Sequence, residues 1–138
     1  MVTNYVLPIL AWAYLALDET EQAAPTISEA IRRQREGQYR FGLVSALRVQ
    51  AQVALRQGER HVAEQALEEG LTFARAMPYP HSEGRLLEVY GALHLARGEM
   101  GAARELLEAA LALFRGLGAR KDGERIMDLL STISSTGR

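Results

Sequence analysis

Side-chain types recur along this chain at one fixed step, the distance from Ala11 to Ala51 and from Ala51 to Gly91, and that period constrains the fold more than any other feature. Small residues keep the step at Ala11, Ala51, Gly91 and Ser131, at Ala23, Ala63 and Ala103, and at Ala30, Gly70 and Ala110. Large apolar residues keep it at Leu7, Leu47, Leu87 and Met127, at Ile27, Leu67 and Leu107, and at Ile31, Leu71 and Leu111. Leu15, Leu55 and Leu95 add a further column, and Arg35, Arg75 and Arg115 a basic one. Such a period marks a repeat architecture, in which one unit cannot bury its apolar face alone and must stack on its neighbours.

Each unit reads as two helices. The first helices are expected at about Tyr5–Leu17, Phe41–Gln57 and Ser82–Arg97, and the second at about Thr20–Glu36, Glu59–Ala76 and Met100–Leu117. Gly58 and Gly98 stand where a left-handed cap residue is wanted, with Asp18 in the matching place of unit one. Links between units carry breakers at Glu36-Gly37, Met77-Pro78-Tyr79-Pro80 and Gly116-Leu117-Gly118. The small columns are the places where paired helices touch closely. A last amphipathic helix, about Lys121–Ser134, carries Ile126, Leu129, Leu130 and Ile133 on one face. Unit one departs from the pattern, because Pro8 and Pro25 fall where helix is expected, and an interior proline costs about 3 kcal/mol.

Composition agrees. Hydrophobic residues make up 48% of the chain, enough for one core, and alanine and leucine dominate, as in helices. Formal net charge is −1 with no clustered basic stripe, which argues against direct nucleic-acid binding. The absence of cysteine removes disulfides and thiolate chemistry, and a cytoplasmic setting is expected. Met1–Leu17 has no charged side chain, yet falls short of the roughly 20 apolar residues that cross a bilayer. A buried helix is expected there, with no membrane contact.

The run Leu87, Tyr90, Gly91, Gly98, Ala103, Leu107, Ala110 resembles the tetratricopeptide repeat signature. The resemblance covers essentially the whole chain and is closest in unit three. It implies an all-α, right-handed superhelical solenoid of antiparallel helix pairs. Repeats would span about 4–40, 41–80 and 81–120, followed by a capping helix at about 121–134, all in a single domain 1–138. The usual repeat is shorter, at about 34 residues. The longer kind is similar to the C-terminal arrays of bacterial signalling proteins that join an ATPase domain to a DNA-binding domain or a nucleotide cyclase. Met77–Arg85 and Leu113–Arg120 carry that likeness. A repeat class does not fix function.

No constellation points to catalysis, a cofactor or a metal. His61, His81 and His94 have no second ligand at helical spacing, and the glycines at 98, 101, 116 and 118 are better read as helix ends than as phosphate loops. The resemblance implies that the first helices line a concave face. Its inward places are Tyr5 and Trp12 in unit one, Arg48, Gln52 and Arg56 in unit two, Arg85 and Glu88 in unit three, and Arg125 and Asp128 on the last helix. Arg48 and Glu88 are expected as neighbours across adjacent helices. A chaperone-type carboxylate clamp is not expected, since of its places only Arg85 fits. The expected function is a non-catalytic, regulatory protein–protein interaction module that docks a protein or peptide segment. Two alternatives stay open: a sensor for a small effector such as a sugar or peptide, and a structural scaffold. Self-association as a homodimer through the apolar first helix is expected as well.

Overall fold

A computed structural model describes residues 19–136 together with Ala13 and Ala16, and of residues 134–136 it describes the backbone alone. The described residues contain no strand. Their six successive helices are α1 (Thr20–Gly37), α2 (Arg40–Arg56), α3 (Arg60–Ala76), α4 (Pro80–Ala96), α5 (Met100–Leu117) and α6 (Arg120–Thr136). The second helices start where the sequence places them, within a residue. The last helix begins one residue earlier and ends two residues later than expected. The helix expected at Tyr5–Leu17 lies outside the described residues, apart from Ala13 and Ala16.

The chain keeps a finer step than the sequence pattern reveals. Helices begin at Thr20, Arg40, Arg60, Pro80, Met100 and Arg120, an even spacing of half a repeat. The junctions repeat the same hydrogen bonds: Tyr39 N–H donates to the Gln34 carbonyl, Glu59 to Ala54, Tyr79 to Ala74, Glu99 to His94 and Ala119 to Phe114, at 2.6–3.0 Å. These bonds close each helix end across a turn and occupy carbonyls that the helix leaves without a partner. Gly58, Gly98 and Gly118 supply the left-handed backbone in three of the turns, with φ of 76°, 77° and 70°. At the α1–α2 turn the left-handed residue is Gln38 (φ 57°), not the glycine beside it. Gly37 is instead the last residue of α1, and the Tyr39 ring occupies the space its side chain would fill. At the α3–α4 turn Pro78 stands in the matching place, and Pro80 opens α4, where a missing N–H is harmless.

Pro25 sits inside α1 without ending it. Both Pro25 and Glu21, whose carbonyl it leaves without a helical donor, are exposed.

Packing runs mainly between chain neighbours, from α1 on α2 to α5 on α6, with a further contact between α2 and α4. The small columns lie at these contacts. Ala23, Ala63 and Ala103 are fully buried, as are Ala30 and Ala110. A side-chain carbon on Gly91 would come within 2.9 Å of Leu107, so a larger residue there would have to displace the Leu107 side chain where α4 meets α5. The large columns fill the spaces between: Ile27, Leu67 and Leu107 are buried, as are Leu47 and Leu87. Met127, their counterpart on α6, is half exposed. Leu47 has Gly70 of α3 beside it, and among the described residues no such helix lies beside Met127. Ser131, in the small column of Ala51 and Gly91, is exposed for the same reason.

Candidate functional site

The even-numbered helices carry most of the polar residues that the sequence singles out. Arg48, Gln52 and Arg56 follow one another on α2, each about one turn beyond the last, so they share a helix face. Arg85 and Glu88 lie on α4, and Arg125 on α6. Tyr5 and Trp12 lie outside the described residues.

Between α4 and α6 the charges are paired. Arg125 donates from Nε and Nη2 to the two carboxylate oxygens of Glu88, at 2.8 and 2.7 Å. The same Nη2 donates to Asp122 at 2.7 Å, and His81 Nε2 lies 2.9 Å from the other Asp122 oxygen. Hydrogen bonds to Glu88 hold the Arg125 guanidinium above its usual pKa, against the opposing effect of burial. Burial pushes the Asp122 carboxyl up, but the hydrogen bonds and charge of His81 and Arg125 outweigh it and leave the carboxyl below its ordinary value. The sequence pattern singled out His81 only as a histidine without a second metal ligand, and Asp122 not at all. The signal was there as a spacing of 41, one position off the repeat, which brings them close on successive even helices.

Between α2 and α4 the arrangement differs. Arg48 and Arg85 line one cleft of about 120 Å³, together with Ser45, His81 and Ser82. Phe41, Val44 and Leu86 supply its apolar walls. Arg48 is half-buried, and Gln52 Oε1 accepts from its Nη1 at 3.4 Å. Burial, then the charge of Arg85, pushes the Arg48 guanidinium down to about 10, with Glu88 and Arg125 acting in opposite senses. Among the described residues neither Arg48 nor Arg85 has a carboxylate within ion-pair distance. The expected adjacency of Arg48 and Glu88 is present as an electrostatic influence, but they do not pair, because Arg125 holds both Glu88 oxygens. Arg56, in the last turn of α2, is exposed and lies one turn beyond Gln52. Asp128 is exposed on α6.

The odd helices use their charges differently. Arg35 of α1 pairs with Glu69 of α3 at 2.6 and 2.8 Å, and Arg97, just past α4, pairs with Glu64 of α3 at 2.6 Å. His94 stacks on Tyr90 with ring centroids 5.3 Å apart. The described residues hold no group of three or more His, Asp or Glu placed to bind a metal. No described helix is long and apolar enough to cross a membrane.

Comparison with protein-family models finds none that matches this chain, and no curated protein is significantly similar to it.

Proposed function

We propose that this chain is a non-catalytic, tetratricopeptide-like interaction module that docks a protein segment on the face formed by α2, α4 and α6. The helices would form antiparallel pairs stacked as a solenoid. Short turns, neighbour-to-neighbour packing and the α2–α4 contact support that arrangement. One observation carries the functional reading. Arg48 of α2 and Arg85 of α4 line one cleft, and Arg48 also lies within electrostatic reach of Glu88 on α4 and Arg125 on α6, which supports a shared face for equivalent places of successive units. Arginine is a favoured interface anchor because it joins contact area to directional hydrogen bonding. A regulatory role within a larger signalling assembly is the context proposed for this docking.

A photo-crosslinking side chain tests the reading. Placed at Gln52 on α2 in cells that produce the protein, it should form a discrete adduct with another protein. Placed at Gln65, exposed on α3, it should not. Equal labelling from both places, or none from Gln52, contradicts the proposal.

A further inference from the structure

The repeat lets one site be compared with another inside the same molecule. Arg125 of α6 stands one full repeat after Arg85 of α4, and Glu88 of α4 stands one full repeat after Arg48 of α2. The α4–α6 contact and the α2–α4 contact are therefore two versions of one place. In the first, Arg125 is held by Glu88 on one side and Asp122 on the other. In the second, Arg85 has Arg48 where Glu88 would be and Ser82 where Asp122 would be. Both carboxylates of the cage have been replaced, one by a hydroxyl and one by a second guanidinium. The space they leave is the cleft between Arg48 and Arg85.

Two like charges around a partly desolvated cleft repel each other, and no described carboxylate pairs with either. Burial makes that repulsion stronger than it would be in water. Ser45, Ser82 and the two guanidiniums supply hydrogen-bond donors and no fixed negative charge. The cleft also lies at the first turns of α4, whose N-terminal end attracts anions. Its volume of about 120 Å³ is well under the roughly 300–1,000 Å³ of pockets that enclose whole small ligands. It suits one charged head group.

We infer that the cleft between Arg48 and Arg85 receives a carboxylate side chain from an acidic segment of the docked partner, in the place that Glu88 and Asp122 fill around Arg125. Carboxylate is the favoured chemistry because the equivalent cage in this same chain is built with carboxylates, and a guanidinium takes a carboxylate through two parallel hydrogen bonds. This inference rests on the docking face proposed above. It adds the chemistry of what docks there.

The test uses hexaglutamate as probe, with hexaglutamine as neutral control and inorganic phosphate as competing anion. Calorimetric titration at low salt should show hexaglutamate binding and hexaglutamine not binding. Arg48→Glu restores the acidic residue that the equivalent site has. It should weaken hexaglutamate binding at least tenfold while leaving the melting temperature equal to or above that of the parent protein. Arg85→Gln, which removes one cation and adds no acid, should also weaken binding at least tenfold with helical content retained. Equal binding by the parent and both variants overturns the inference, as does absence of binding to the parent at millimolar probe. Tighter binding of phosphate than of hexaglutamate overturns the assignment of carboxylate. A Gln52 crosslink that persists while hexaglutamate fails sinks this inference alone. Loss of the crosslink sinks the docking face with it.

Discussion

Arg125 grips both oxygens of Glu88, at 2.8 and 2.7 Å, and so removes from Arg48 the acid that the repeat places beside it. The α4–α6 contact is thereby neutralised and the α2–α4 contact left positively charged. The Arg125 side chain is 42% exposed and that of Glu88 20%, which puts this bidentate pair toward the upper end of the about 0–1 kcal/mol that solvated ion pairs contribute. Replacing Glu88 by Gln is expected to lower stability by no more than that in a urea titration. It should also leave Arg48 in a more positive field and so strengthen binding of an acidic peptide.

Acid should loosen the same contact. Asp122 has a folded-state pKa below its ordinary value, so its contribution is present above the unfolded value of about 3.9 and is lost as pH falls through the lower folded value. Asp122→Asn removes the titrating group. The melting temperature of the parent should exceed that of the variant at pH 7, and the gap should close as pH falls below about 4. A gap unchanged at about pH 2 would show that Asp122 acts through packing alone.

Ala103 is fully buried where α5 meets α4, with its carbonyl oxygen close to the place a Gly91 side chain would occupy. Ala103→Leu should therefore overpack the contact and cost about 1–3 kcal/mol. An unchanged denaturation midpoint would mean that α4 and α5 are not held together there.

Gly58 and Gly98 isolate a backbone effect. A side-chain carbon at either would meet nothing within 4 Å, yet both have strongly positive φ. Alanine there should cost about 1–2 kcal/mol through backbone strain alone. A neutral result at Gly98 would argue against the turn geometry between α4 and α5.

Much of the fold was legible because the apolar columns and the glycines mark where helices touch and stop. The half-repeat step was not, because the two helices of a unit carry different residues at matching places. Ala54, Ala74, His94 and Phe114 all accept the same junction hydrogen bond through their carbonyls, and a backbone bond leaves no side-chain signature. Gln38 shows the same limit, taking the left-handed turn beside a glycine whose role is to make room for Tyr39. The site was half legible. The resemblance led to the expectation that Arg48, Arg85, Glu88 and Arg125 share one face, and the structure brings Arg48 to one cleft with Arg85, and Arg125 onto Glu88. Who pairs with whom was not legible, since Arg125 reaches back to Glu88 over a separation of 37, one helical turn short of the repeat. Long flexible side chains reach that far, and spacing alone does not rank a partner one repeat away over one a turn nearer.

The most direct test of the docking face is a map of amide chemical-shift changes across the nitrogen-15-labelled protein, on adding the protein segment crosslinked from Gln52. Changes should concentrate on α2, α4 and α6 around Arg48, Ser82, Arg85 and Arg125, and the Arg48→Glu variant should lose those around the cleft. Changes confined to α3 and α5, or to the α6 end around Met127, would contradict the account.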